Sequence, residues 1–511
     1  MKQVLRFGFA AVENALNRAF GFANPLHHLG ALGLFFFWVI GVSGVYIFIF
    51  FDTGATEAFL SVEAMTREQW YAGGIMRSLH RYASDGLVAV MVLHIAREFA
   101  FDRLRGPRWL SWVTGTPIIW LVMICGITGY WLVWDTLAQF VALATAELLD
   151  WLPIFAEPIA RNFSAPSRLD DRFFTLVLFA HIAVPLVLVF VLWLHLQRVA
   201  SARIHPPRAL ALGTMAMLLA MSLVAPALSQ GPANLAAAPA APGLDWFYLW
   251  SLPLAEVWGG GAMWAFGFGA TLVVAMLPWL PPLARRPVAV VDLENCNGCT
   301  RCAADCPVSA IDMGPRTDGK AFRFQAVVDA DLCVACGLCM GACPTATPFR
   351  RVHDARPGID LPDFTLRQLR DRVEAAAKPL AGEARVLAFH CETAARPATD
   401  GHTAAVAVRC LGMIPPAMID YLLSRRLADG VALIGCGPGQ CHYRLGNRWT
   451  RERIAAVRDP HLRARVPRER LLHASISAFD GRRVGSEIEA FRATLSRDRG
   501  ARDPAAREAA S

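Results

Sequence analysis

Apolar and polar positions alternate differently on the two sides of residue 283. Before it, apolar residues run in stretches long enough to cross a bilayer as a helix, which takes roughly 20 of them. These stretches cover about 30–50, 74–97, 111–134, 173–197, 209–228 and 255–281. Beyond residue 283 the apolar residues fall into short strand-like runs and amphipathic spacings broken by Gly, Pro and Arg, the pattern of a water-soluble fold. The pattern predicts a multi-domain chain: an all-α transmembrane bundle of about six helices, an α+β segment, and a small α/β domain.

The boundaries follow from the same pattern. Residues 1–28 form an amphipathic interfacial segment, carrying Lys2, Arg6 and Arg18 and lacking a small-residue cleavage site. A four-helix domain spans 29–208, two further membrane helices 209–286, and two soluble domains 287–360 and 361–495, before a polar, disordered tail at 496–511. Lys and Arg in short loops favour the cytoplasmic side. Arg97, Arg103, Arg105 and Arg108 follow the second stretch, Arg198, Arg203 and Arg208 the fourth, and Arg285 and Arg286 the sixth. The opposite loops, 52–71, 135–172 and 229–254, are poorer in positive charge. Both termini and the soluble half are therefore expected in the cytoplasm of a bacterium, with the chain passing repeatedly through the inner membrane. The net charge of +8 follows from this bias and is no sign of nucleic-acid binding.

The second stretch contains His80 and His94 and the fourth His181 and His195, each pair 14 positions apart. That offset is nearly four helical turns, so each pair shares a face and is separated by about 21 Å along the axis. A single histidine in a membrane helix can be a polar packing residue. Two pairs at one spacing, on helices running in the same direction, point instead to two haems stacked through the membrane, because intramembrane ionisable groups are costly and usually functional. Bis-histidine ligation fills both axial positions and suits electron carriage. Gly30 and Gly44, and Gly115 and Gly129, repeat the same offset on the first and third stretches and would let a macrocycle approach the backbone.

The runs RSLHRYASDGLVAVMVLH (Arg77–His94), WVTG (Trp112–Gly115) and ITGYWLVWDTLAQF (Ile127–Phe140), with the second histidine pair, resemble cytochrome b of the quinol-oxidising bc and bf complexes over about residues 20–200. The resemblance implies two b haems: His80 with His181 on the one nearer the outer face, His94 with His195 on the one nearer the cytoplasm. It also implies Arg77 and Arg81 as propionate partners, quinone as substrate, and a homodimer of this part. LDWFYLW (Leu244–Trp250) is similar to the family's PEWY motif, with Asp245 in the position of the outer-site carboxylate and Leu244 and Phe247 as departures. Neither the family's remaining helices nor a Rieske-type CxH pair occurs in this sequence.

Of 13 cysteines, eight lie in CNGCTRCAADCP and CVACGLCMGACP, two complete C-x2-C-x2-C-x3-C-P runs of the bacterial two-cluster ferredoxin type. Three close cysteines wrap three corners of a cube and the fourth reaches across. Cys296, Cys299, Cys302 and Cys343 should therefore hold one [4Fe-4S] cluster, and Cys333, Cys336, Cys339 and Cys306 the other, in an α+β ferredoxin-like domain. Zinc is the alternative reading. Cys125, within the third stretch, reads as a small buried apolar residue. The remaining four, Cys391, Cys410, Cys436 and Cys441, match the ligand count of a [2Fe-2S] cluster. VLAFHC, AVAVRC and VALIGC are strand-like runs that each end on a cysteine, and parallel strands deliver their C-terminal ends to one edge. Unrelated core thiols remain the alternative.

GCGPGQCHYRLGN (Gly435–Asn447), the preceding ADGV and the RCLGMIPP turn resemble the delta subunit of methyl-viologen-reducing hydrogenases over about residues 384–495. That family often has a second cysteine where this chain has Ala394, so His390 or His442 could replace a thiolate. The resemblance implies a flavoprotein partner, NAD(P)H-dependent or fed by another cytoplasmic donor. The expected function is a membrane-anchored electron-transfer subunit of a quinone oxidoreductase. It would deliver electrons to quinone on the cytoplasmic side, near His94 and His195, with His27, His28 and His205 as further polar groups. Two alternatives stay open: quinol oxidation near Asp245 with inward flow to the clusters in a bifurcating scheme, and a membrane redox sensor.

Overall fold

The computed structural model describes residues 2–154, 157–163, 169, 171–197, 199, 202–237, 243–281, 286–349 and 356–500. The polar tail from residue 501, and Arg198 and Arg285 among the loop cations, lie outside them. The chain divides into two compact units. One is Ala19–Leu104 with Arg108–Pro281; the other is Pro282–Ser511 with Met1–Arg18 and Arg105–Pro107.

The first unit is helical. Its helices are α2 (Leu29–Phe50), α3 (Glu57–Arg67), α4 (Ile75–Ala100), α5 (Trp109–Val133), α6 (Thr136–Asp150), α7 (Asp171–Leu196), α8 (Arg208–Val224), α9 (Ser251–Trp258) and α10 (Gly260–Met276). Among the described residues, Leu29–Phe50, Trp109–Val133, Asp171–Leu196 and Gly260–Trp279 are long and apolar enough to cross a membrane. The predicted second span, α4, has the length but also carries Arg77, His80, Arg81, Asp85, His94, Arg97 and Glu98. The predicted fifth, α8, is 17 residues long. The outer loops expected at 52–71 and 135–172 contain α3 and α6. Asp135 caps α6 by accepting the Ala138 N–H at 2.8 Å, and α6 buries Leu137, Ala138, Val141, Ala142 and Ala146. Neither reaches membrane-spanning length, which is why the apolar pattern passed over them.

The second unit begins with α1 (Lys2–Phe20), which is amphipathic as expected, with Val4, Phe7 and Val12 exposed. It also has an attachment that the sequence did not signal. Glu13 is fully buried and accepts a hydrogen bond from the Gln440 amide at 2.6 Å, and Phe7 meets Phe479 edge to face at 5.6 Å. The middle segment holds two antiparallel strand pairs, β1 (Val290–Val291) with β4 (Ile359–Asp360) and β2 (Ile311–Pro315) with β3 (Phe324–Val328), and the short helices α11 (Arg301–Ala304) and α12 (Leu338–Ala342).

The last segment is α/β, with helices α13 (Leu366–Ala377), α14 (Pro416–Ser424), α15 (Gly446–Ile454) and α16 (Gly481–Gly500). A parallel sheet in the order β6-β5-β7-β8 is made of β5 (Val386–Cys391), β6 (Thr403–Val408), β7 (Gly430–Cys436) and β8 (Leu471–Ile476). Strands β5 and β7 are buried along their whole length, as expected for a parallel sheet covered on both faces. The C-terminal ends of β5 and β7 are cysteines, and Cys410 follows β6 by two residues.

Candidate functional site

In the helical unit, α2 packs along α4 and α5 along α7. Each of the four glycines faces one histidine of the neighbouring helix. A Cβ on Gly44 would lie 3.1 Å from the His80 ring, on Gly30 3.7 Å from His94, on Gly129 3.1 Å from His181, and on Gly115 3.5 Å from His195. Both pairings are antiparallel, so the residues form two levels: His80, Gly44, His181 and Gly129 at one, His94, Gly30, His195 and Gly115 at the other. The glycines thus make room first for the imidazoles themselves. The His80 and His181 ring centroids are 6.3 Å apart. Metal–imidazole nitrogen bonds of about 2 Å on each side, plus half of each ring, require roughly 6 Å. The pair therefore fits two axial ligands on one iron.

Three imidazoles are also fixed in tautomer. His80 Nδ1 donates to the Ile40 carbonyl at 3.0 Å and lies 3.2 Å from Ser43 Oγ. His181 Nδ1 donates to Thr128 Oγ1 at 3.1 Å, because that hydroxyl gives its own proton to Ile124 O at 2.8 Å. His195 Nδ1 donates to Thr114 Oγ1 at 3.3 Å, with the Thr114 hydroxyl committed to Leu110 O at 2.7 Å. A proton held on Nδ1 leaves the Nε2 lone pair free for a metal. Ser43, Thr114 and Thr128 were missed by sequence reasoning. Their signal was present, since each immediately precedes one of the four glycines.

In the soluble unit, Cys296, Cys299, Cys302 and Cys343 line one hollow, and Cys306, Cys333, Cys336 and Cys339 line a second. The fourth cysteine of each run thus joins the first three of the other. Among the described residues no group of three His, Cys, Asp or Glu side chains could hold a single metal ion. These hollows suit a multi-iron core better than a mononuclear zinc site, which needs four ligands close around one atom. Burial pushes the Cys302 thiol up to about 12 and the Cys339 thiol well above its ordinary value. Cluster assembly therefore has to displace protons that these thiols hold firmly at neutral pH.

The remaining cysteines converge at the sheet edge. The Cys391 sulfur hydrogen-bonds both Cys410 and Cys436, and Cys436 also bonds Cys441. Donation from Cys391, Cys441 and Thr393 draws Cys436 well below the usual thiol range. Thr393 Oγ1 lies 3.2 Å from Cys436 Sγ, and the Leu411 N–H points at Cys391 Sγ at 3.3 Å. The loop between Cys436 and Cys441 turns through Gly439 at φ +68°. It is clamped by Asn447, whose amide donates to Cys436 O at 3.2 Å and Ser475 Oγ at 2.8 Å and accepts from His473 Nε2 at 3.0 Å.

Residues 20–202 match the family described as Cytochrome b/b6/petB. The N-terminal half carries a cytochrome b domain. Residues 295–347 match the 4Fe-4S dicluster domain, and 386–497 match the delta subunit of methyl-viologen-reducing hydrogenase. A solved structure titled "Hyperthermophilic respiratory Complex III" is similar at 19% identity and a TM-score of 0.40, covering 50% of this chain and 75% of that one. With its four long apolar helices, this is a multi-pass membrane protein with redox domains in the order cytochrome b, 4Fe-4S dicluster, delta subunit.

Other predicted residues of the cytochrome b domain have protein partners. Arg77 donates to Thr66 Oγ1 at 2.6 Å and Ser229 Oγ at 2.8 Å. Arg81 pairs with Asp85 and, at 2.9 Å, with Asp245. Asp245 Oδ1 accepts the Phe247 N–H at 2.8 Å, while its Oδ2 takes Arg81 and the Tyr130 hydroxyl. His28 is buried next to the start of α2 and His205 is exposed. Burial, with Arg97 and Arg103 nearby, draws His27 down to about 3. In the delta-subunit domain, His390 Nδ1 lies 3.2 Å from Cys391 O, and the His442 ring stacks edge-on against Tyr443. Ala394 is buried and bridges Ser477 through its backbone.

Proposed function

We propose that the chain is the membrane-anchored electron-transfer subunit of a quinone oxidoreductase, working between a cytoplasmic, NAD(P)H-dependent flavoprotein and the quinone pool. The observation that carries this reading is the presence, in one chain, of a two-level histidine–glycine arrangement, two four-cysteine hollows and a third four-cysteine edge. Two b haems, two [4Fe-4S] clusters and one [2Fe-2S] cluster bound there would supply one-electron carriage.

The chain's own residues then do the holding and tuning. His80 and His181 are the axial pair of the haem nearer the outer face, His94 and His195 that of the haem nearer the cytoplasm. Gly30, Gly44, Gly115 and Gly129 keep the two levels open. Arg77 and Arg81 keep further N–H donors for propionates beside the partners already described. Cys296, Cys299, Cys302 and Cys343 form one ligand set, Cys333, Cys336, Cys339 and Cys306 the second, and Cys391, Cys410, Cys436 and Cys441 the third. Thr393 and the Leu411 amide aim hydrogen bonds at the third set and raise its potential by stabilising added negative charge.

Quinone is reduced on the cytoplasmic side, in a bacterial inner-membrane assembly whose cytochrome b parts pair as a homodimer and whose termini and iron–sulfur domains face the cytoplasm. Outer quinol oxidation at Asp245 is less well supported, because three donors already engage its two carboxylate oxygens. Anaerobic addition of NAD(P)H to the complex purified with its soluble subunits should reduce the b haems, and a quinone should reoxidise them. Soluble subunits that turn over NAD(P)H with an artificial acceptor, yet leave the haem band unchanged, would sink the reading.

A further inference from the structure

The dicluster and delta-subunit segments pack together within the soluble unit, and the packing around their cysteines is asymmetric. Cys336 and Cys410 share a small core of their own with Leu338, Leu445 and Trp449. At its centre is Gly446, where a Cβ would fall 2.0 Å from Cys410 Sγ and 3.7 Å from both Leu338 methyls. Two more close approaches flank it. A Cβ on Gly341 would fall 2.0 Å from Gly412 O, and one on Gly412 3.0 Å from Leu338 Cγ. Only residues without side chains permit this approach.

Charged ties fix the contact at residues that adjoin the cysteines. Arg409, just before Cys410, donates to the carbonyl of Ala335, just before Cys336, at 2.8 Å. Arg453, fully buried, donates to Gly412 O at 2.8 Å and pairs with the buried Asp305, just before Cys306. Both ties reach the set formed by Cys306, Cys333, Cys336 and Cys339. Next to the other set, Arg301 meets Asp459 at 2.8 Å, a pair with both side chains substantially exposed and Asp459 well along the chain from every ligand cysteine of the delta-subunit segment.

We propose that the C-terminal four-cysteine site exchanges electrons directly with the Cys306/Cys333/Cys336/Cys339 site, across the Cys336–Leu338–Gly446–Cys410 contact, so that the Cys296/Cys299/Cys302/Cys343 site lies one step further on. This rests on the ligand sets assigned above. The step moves one electron. The two-iron centre passes from its one-electron-reduced to its oxidised state as the four-iron centre gains that electron, or the reverse. No bond forms or breaks and no proton moves. The electron enters from a reduced flavoprotein or leaves to quinone.

The test is EPR on the full-length protein, reduced with dithionite, reading spin relaxation of the two-iron signal. In the wild type that signal is relaxed by a neighbouring four-iron spin. Cys333→Ser should abolish the enhancement, and Cys299→Ser should leave it. Loss with Cys299→Ser but not Cys333→Ser, or an unrelaxed wild-type signal, overturns the proposal while leaving the ligand assignments standing. A wild type with no two-iron signal overturns the assignments and the proposal together. Gly446→Ala keeps every cysteine but displaces the Cys410 sulfur, which the new Cβ would meet at 2.0 Å, while Leu338 stays at ordinary contact distance. It should weaken the enhancement even where a cysteine variant fails to assemble, and unchanged relaxation in Gly446→Ala also overturns the proposal.

Discussion

Gly435→Ala puts one methyl group where the delta-subunit domain has no space for it. Gly435 pairs with Ser475 across β7 and β8, and a Cβ there would sit 2.2 Å from Asn447 Oδ1 and 2.7 Å from its Nδ2. Asn447 has to move, and with it go the bonds to Cys436 O, Ser475 Oγ and His473 Nε2. Each buried partner left without a bond costs about 1–3 kcal/mol. Ser475 is only half-buried, so water can replace its lost donor, and the other two partners set a net loss of about 2–6 kcal/mol. In a unit of this size each kcal/mol lowers Tm by roughly 2–4 °C, so cluster absorbance should bleach on the order of 10 °C earlier. The assay is a thermal melt of the anaerobic full-length protein, followed in the visible for Gly435→Ala, Asn447→Ala and the pair. If the clash acts through Asn447, the double variant should lose much less than the sum of the singles. Losses that add fully, or a Gly435→Ala melt within 0.5 kcal/mol of wild type, would refute the reasoning.

Other substitutions address the remaining sites. Gly129→Val crowds an imidazole already 3.1 Å from the Cβ position, so haem at the His80/His181 level should be lost and the other level kept, halving the pyridine haemochrome yield. Arg453→Met removes one of the two arginines paired with Asp305, leaving Arg458, and strips Gly412 O of its donor, at a cost of about 1–3 kcal/mol read by chemical denaturation. Glu13→Ala removes the buried acceptor of Gln440, so trypsin should cut faster in α1 with cofactor content unchanged. His473, drawn down to about 4 by burial, stays neutral in the fold while the unfolded chain takes a proton near 6.5. Its contribution to stability is therefore present above about pH 6.5 and lost as pH falls towards 4. The stability deficit of His473→Gln should be larger at pH 7 than at pH 5.

Much of the chemistry was legible because ligand residues are costly in the wrong place. A histidine repeated at 14 positions within apolar helices, or a cysteine every third residue before a proline, has few alternative explanations, and spacing along the chain directly encodes spacing in a helix or a loop. What escaped were the supports. Ser43, Thr114 and Thr128 are ordinary helix residues until the facing helix brings an imidazole to their hydroxyls. α3 and α6 are too short and too mixed in pattern to stand out from loops.

The motif GCGPGQCHYRLGN shows where the division falls. Its composition alone announces a tight turn carrying two thiols. That Gly435 makes room for Asn447, that Gln440 receives Glu13 from a helix more than 400 residues earlier, and that Gly446 lets the Cys410 sulfur and Leu338 approach each other are contacts between distant segments. Local sequence singled out the candidate metal and haem residues, because that depends on side-chain chemistry and short-range spacing. Only tertiary structure decided which cysteine sets adjoin and what holds each ligand in line, because close packing between remote segments leaves no periodic mark on any one of them.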